Sequence, residues 1–152
     1  MEAYNEYGRK TNESYRFISS PDNDKIRLIN KLGRKKYRDK RGEFVIEGIN
    51  LVRAALSKAQ HIKFVLISDD FDYGEIADAL AEDVDYRNIY LIPRFLFDKI
   101  SDAENGSGII AVVDKSSYRL DTIDSLESIG TNNILVLDRL QDPGNIGTMI
   151  RT

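Results

Sequence analysis

Cysteine is absent from this 152-residue chain, which removes disulfides and thiolate metal sites and fits a cytosolic protein. The single histidine, His61, heads an apolar stretch. No Ser, Cys or carboxylate constellation accompanies it in sequence, so it reads as a boundary residue. No apolar run approaches the length of a membrane span, and the first residues carry no signal-peptide pattern. No Gly-Lys-Ser/Thr phosphate loop occurs. The Gly-Ser-Gly at 106–108 precedes a strand and not a helix, so it is no dinucleotide fingerprint. "DDFDYGE" (69–75) imitates the start of a calcium loop, yet counted from Asp70 the twelfth position is Ala81, where a bidentate Glu is required. Internal repeats and low-complexity tracts are also missing.

What is present describes a soluble globular chain: 41% hydrophobic residues and a mean hydropathy of -0.40. The length suits one domain, or one domain and a small piece of another. The net charge of -3 is unevenly placed. Residues 25–41, "KIRLINKLGRKKYRDKR", hold nine basic side chains against Asp39 alone, a local +8 that leaves -11 for the rest. An acidic protein with one concentrated basic segment has a polarised surface that suits a polyanion at one face. The dull account of such a run is a solvated helix end.

Along the chain, residues 1–19 are polar and mixed and read as an extension, with Phe17 and Ile18 docking on the body. Ser20 as N-cap and Pro21 at the first helical position announce a helix whose stripe is Ile26, Ile29 and Leu32, ending near Gly33. Strands are expected at 43–48, 62–68, 88–93 and 108–114. Helices are expected at 49–59, after Asp72, and over "RFLFDKI". The strands are continuously apolar, which suggests burial on both faces of a mostly parallel sheet. Residues 20–115 thus form an α/β/α domain. Residues 116–133 read as a linker, and "ILVLD" (134–138) as the opening strand of a second unit.

That unit continues through "RLQDPGNIGTMIRT". Pro143-Gly144 suits a turn, and Asn145 a helix N-cap. Gly147 and Arg151, four apart, share a helical face, so the Arg leans back over the gap left by Gly toward the positive helix end. Such a strand, turn and Arg-bearing helix can hold a phosphate or a developing oxyanion. An ordinary strand-to-helix turn with a surface Arg has the same spacing.

"LVLDRLQDPGNIGTMIRT" resembles the first signature motif of the SpoU/TrmH (SPOUT) class of RNA 2′-O-ribose methyltransferases, with Asn145, Gly147 and Arg151 on its Asn-x-Gly-x-x-x-Arg core. Asp138 and Asp142-Pro143 match the lead-in. "KLGRKKYRDKRGEFVIEGINLVRAAL" (31–56) is similar to the start of that class's substrate-binding domain, through Arg38, Gly42, Phe44, Glu47, Gly48 and Ala55. "GSGIIAVV" resembles the entry to that domain's last strand, with Ser107 where a Gln is usual.

The resemblance implies a three-layer α/β/α, ribosomal-protein-like substrate-binding domain followed by the first strand-turn-helix (134–152) of a knotted methyltransferase domain. It implies S-adenosyl-L-methionine as cofactor, bound by later motifs that this chain does not contain, so the chain is expected to be an inactive fragment. It further implies a ribosomal or transfer RNA partner and a homodimer formed through the catalytic domain, the fragment itself being monomeric. Arg151 matches the Arg that binds RNA phosphate and activates the ribose hydroxyl, and Asn145 a positioning residue near that ribose. Arg34, Lys35, Lys36, Arg38, Lys40 and Arg41 are the candidate RNA contacts, with Tyr37 interleaved. Glu47-Gly48 reads as a strand-end turn. Two rivals stand beside this reading: a non-catalytic RNA-binding module of the same fold, and a protein–protein scaffold.

Overall fold

Side chains on a strand alternate between its two faces, so a continuous apolar run requires cover on both. The computed structural model describes residues 15–72, 74, 76, 80, 82–103, 106–115, 137–138 and 142–151, with backbone alone at 143, 150 and 151. There the apolar runs become Glu43–Glu47 (β2), Ile62–Ser68 (β3), Ile89–Ile92 (β4) and Ile109–Asp114 (β5). Arg16–Phe17 (β1) joins them at the sheet edge, giving the order β1-β4-β3-β5-β2.

The sheet is mixed, which corrects the expectation of a mostly parallel one. β1 with β4 and β4 with β3 run parallel, while β3 with β5 and β5 with β2 run antiparallel. Continuous apolarity reports two covered faces and carries no information about strand direction.

The cover is as the strand pattern demands. Phe64 and Leu66 of β3 face one core with Ile92, Ile110 and Val112, closed by Ile26, Ile29 and Leu32 of helix Asp24–Leu32 (α1) and by Leu96 and Phe97 of Arg94–Phe97 (α4). Val65 and Ile67 face the other core with Ile89, Ile109 and Val113, closed by Val52, Ala55 and Leu56 of Ile49–Ser57 (α3). Ile76, Leu80 and Val84 add to this second side, linked by backbone bonds in i→i+4 register of 2.9 and 3.0 Å. Three layers, α/β/α, result. Ile18 is buried in the first core, but Phe17 beside it is 59% exposed.

One boundary differs from expectation. The cap of α1 is Asn23, whose side chain accepts from the Lys25 N–H at 2.9 Å. Ser20 instead takes the Asp22 N–H, so "SSPD" makes a turn ahead of the helix and not its first turn. The chain divides into two compact units between Ser116 and Ser117. The linker expected at 116–133 and most of the strand at 134–138 lie outside the described residues. Among the described residues no helix is long and apolar enough to cross a membrane.

Candidate nucleic-acid interface

Helix Lys35–Arg41 (α2), "KKYRDKR", buries no residue, so apolar packing does not hold it. Polar contacts do. The Arg38 guanidinium donates from Nη1 to the carbonyls of Leu32 (2.9 Å) and Gly33 (2.8 Å), satisfying the open C-terminal end of α1. Gly42 ends α2 in the left-handed region (φ +64°), its N–H on the Arg38 carbonyl at 2.9 Å. Lys115, just past β5, reaches Asp39 at 3.0 Å and holds its carboxyl below the usual range, chiefly through that hydrogen bond.

The nine basic side chains of 25–41 now separate by role. Lys25 lies over the Tyr90 ring at 4.6 Å and the Phe64 ring at 5.3 Å, a cation–π seat against the core. Arg27 pairs with Asp24 at 2.7 Å, Arg38 caps α1, and Arg41 binds Glu43 at 2.7 Å. The other five, Lys31, Arg34, Lys35, Lys36 and Lys40, make no ion pair or side-chain hydrogen bond with any described residue. Four of the six residues singled out in sequence are therefore uncommitted cations. Arg38 and Arg41 have structural partners. Lys31, in the last turn of α1, joins the uncommitted group.

Two grooves run along this α1–α2 pair. One, of about 440 Å³, is lined by Asp24, Arg27, Leu28, Lys31, Tyr37, Lys40 and Arg41. The other, of about 360 Å³, is lined by Arg27, Asn30, Lys31, Arg34 and Tyr37. Tyr37, Arg27 and Lys31 are common walls.

Beneath the arm lies a relay of charges. Glu43, 2% exposed, accepts from Arg41 and from Lys63 Nζ at 2.5 Å. Burial alone would raise its pKa. Hydrogen bonds from Arg41 and Lys63 together outweigh burial and leave it lowered. Lys63 also reaches Asp114 at 3.5 Å, and Asp114 lies 2.6 Å from His61 Nδ1. Asp114 is likewise lowered, burial being opposed and exceeded by its His61 and Lys63 bonds. His61 thus has a carboxylate partner after all. The two stand 53 positions apart, and only the pairing of β3 with β5 brings them together.

Glu47 does more than end a strand. Its Oε1 accepts from Ser101 Oγ (2.7 Å) and the Ser107 N–H (3.1 Å), and Oε2 from the Asp102 N–H (3.3 Å). The carboxylate therefore clamps both ends of the loop before β5. Gly48 follows at φ +103°, donating to the Ile109 carbonyl at 3.0 Å.

In the second unit a helix spans Pro143–Arg151 (α5). Its cap stands three residues earlier than expected. Asp142 is the cap, its Oδ1 accepting the Gly144 N–H at 2.8 Å. Pro143 takes the first helical position, where its missing N–H costs nothing. Asn145 is therefore an exposed residue of the first turn and not the N-cap. Gly147 lies within α5, with nothing within 4 Å of where a Cβ would stand. The side chain of Arg151 falls outside the described residues, and with it the oxyanion geometry expected there.

Residues 23–111 match the family described as the MRM3-like substrate binding domain, and the chain belongs to that family. Its relatives are RNA methyltransferases. The 23S rRNA (guanosine(2553)-2′-O)-methyltransferase RlmP of Bacillus subtilis is 33% identical over 135 residues, 89% of this chain and 49% of that protein. The 23S rRNA (uridine(2479)-2′-O)-methyltransferase of Streptomyces viridochromogenes is 27% identical over 122 residues, 80% of this chain and 41% of its own length. The chain spans about half the length of the curated relatives it matches. Among solved structures, an RNA 2′-O ribose methyltransferase aligns with a TM-score of 0.64 at 22% identity, over 89% of this chain and 50% of that one. The SpoU methyltransferase AviRb of Streptomyces viridochromogenes, in complex with AdoMet, aligns at 0.58 and 21%, over 85% and 46%. These neighbours place the fold among the SpoU methyltransferases.

Proposed function

We propose that this chain supplies the RNA-holding part of an S-adenosylmethionine-dependent RNA 2′-O-ribose methyltransferase acting on ribosomal or transfer RNA. The observation that carries it is the row of five cations, Lys31 on α1, Arg34 between the helices and Lys35, Lys36 and Lys40 on α2, without an ion pair among the described residues, in a chain whose relatives methylate rRNA. Residues 20–115 hold the substrate, 116–133 link, and 134–152 begin the catalytic part. Strand β1 brings residues 16 and 17 of the extension into the substrate-binding sheet.

The larger groove, lined by Arg27, Lys31, Lys40 and Arg41, suits an anion better than the sulfonium of the methyl donor. In this reading the cofactor and the homodimer contact belong to the methyltransferase domain. Within this chain Arg151 holds the target phosphate bidentately and steadies the developing alkoxide, a task suited to a guanidinium that stays charged. Asn145 positions the ribose.

The test is methyl transfer by the whole protein on total RNA, with the modified ribose mapped. Arg151→Ala should lower the rate by the equivalent of about 2–4 kcal/mol; a loss of threefold or less removes that role. RNA binding without any transfer by the unaltered protein would favour the non-catalytic RNA-binding module.

A further inference from the structure

We propose that the α1–α2 arm receives an unpaired nucleotide, its base stacked on Tyr37 and its flanking phosphates on Lys31, Arg34 and Lys40. This rests on the RNA-holding reading above and commits it to single-stranded or looped RNA. Tyr37 lies on a helix that buries nothing, so its ring is not spent on the core. It is half-buried and forms a wall of both grooves.

Each groove provides an uncommitted cation beside that ring. Lys40 belongs to the larger alone, Arg34 to the smaller alone, and Lys31 to both. A nucleotide within a strand has one such layout: a planar base with a phosphate on either side. The groove volumes, about 440 and 360 Å³, fall in the range of sites for small planar ligands. An A-form duplex presents phosphates but keeps its base faces stacked inside, so it would leave the ring without a partner. Arg41 is held at the groove wall by the buried Glu43, which fixes part of the lining before RNA arrives.

The experiment measures binding of the whole chain to a single-stranded oligonucleotide carrying one 2-aminopurine, and to a blunt RNA duplex of equal length, across a salt series. Tyr37→Ala should weaken single-strand binding about tenfold or more, leave the log–log salt slope unchanged, and abolish the 2-aminopurine quenching. Tyr37→Phe should retain both within about threefold, since the ring face and not the hydroxyl does the stacking. Duplex affinity should be indifferent to either change. The inference is overturned if Tyr37→Ala weakens duplex and single strand alike, or leaves single-strand binding within twofold. If the unaltered chain binds neither RNA at low salt, the broader RNA-holding reading fails, which is a distinguishable result.

Discussion

Arg41 Nε lies 2.7 Å from Oε2 of Glu43, joining the exposed helix α2 to a carboxylate that is 2% exposed. With Lys63 on its other oxygen, Glu43 is the fixed point on which the basic arm turns into the sheet. Replacement by Gln keeps the shape and removes the charge. Because both cations remain partly exposed, water recovers some of the loss. Glu43→Gln should lower the unfolding free energy by about 1–3 kcal/mol, read as a fall in the urea midpoint at constant slope.

Acid should unfold the protein by a predictable route. Glu43, Asp114 and Asp39 all have folded pKa values below their ordinary ones. A depressed carboxylate contributes stability above its unfolded pKa and loses it as pH falls through the folded value. Stability should hold above about pH 5 and decline as pH drops below the ordinary values of 4.5 and 3.8. Asp85, held near 2 mainly by its side-chain bond from Arg87, keeps its charge into strongly acid solution. Thermal melts between pH 7 and 2 would show this decline, and Glu43→Gln should flatten its upper part.

The basic residues should split into two phenotypes. Arg38→Ala removes the bonds closing α1 and should cost about 1–3 kcal/mol of stability. Lys35→Ala and Lys36→Ala, on exposed side chains with no ion pair or hydrogen bond among the described residues, should leave stability within about 0.5 kcal/mol. If each contacts a phosphate, each should reduce the magnitude of the log–log salt slope for single-stranded RNA by about 0.7, from a starting value near -3. Denaturation and filter-binding series on the same variants separate the two effects.

Two glycines should respond differently to alanine. Gly108 has φ +81°, and an added Cβ would meet Phe71 at 2.4 Å, so strain and overlap combine. Gly108→Ala should cost about 3 kcal/mol or more. Gly42 has φ +64° with open space around it, and Gly42→Ala should cost only the left-handed penalty of about 1–2 kcal/mol. Calorimetry of both variants gives the order.

The elements were legible in the sequence because their signals are local. The stripe of Ile26, Ile29 and Leu32 marked α1, and the apolar runs marked β2 through β5 within a residue or so. The N-caps were less legible. Ser20 and Asn145 were plausible caps, yet Asn23 and Asp142 took the work, because several polar residues at each helix start can meet an open N–H. Charge was legible as an amount but not as an allocation: nine cations could be counted, while Arg38 and Lys36 were offered alike as RNA contacts. His61 looked isolated for the same reason, its partner lying 53 positions away.

By itself the sequence determined that an α/β/α layer structure would form and that positive charge would gather near residues 25–41, since hydrophobic patterning and local charge survive in any fold the chain adopts. Only the tertiary structure decided the mixed strand directions, the burial of Glu43 between two cations, and which five basic side chains were left to meet solvent. Those outcomes depend on contacts between residues far apart in the chain, and such contacts exist only once the sheet has closed.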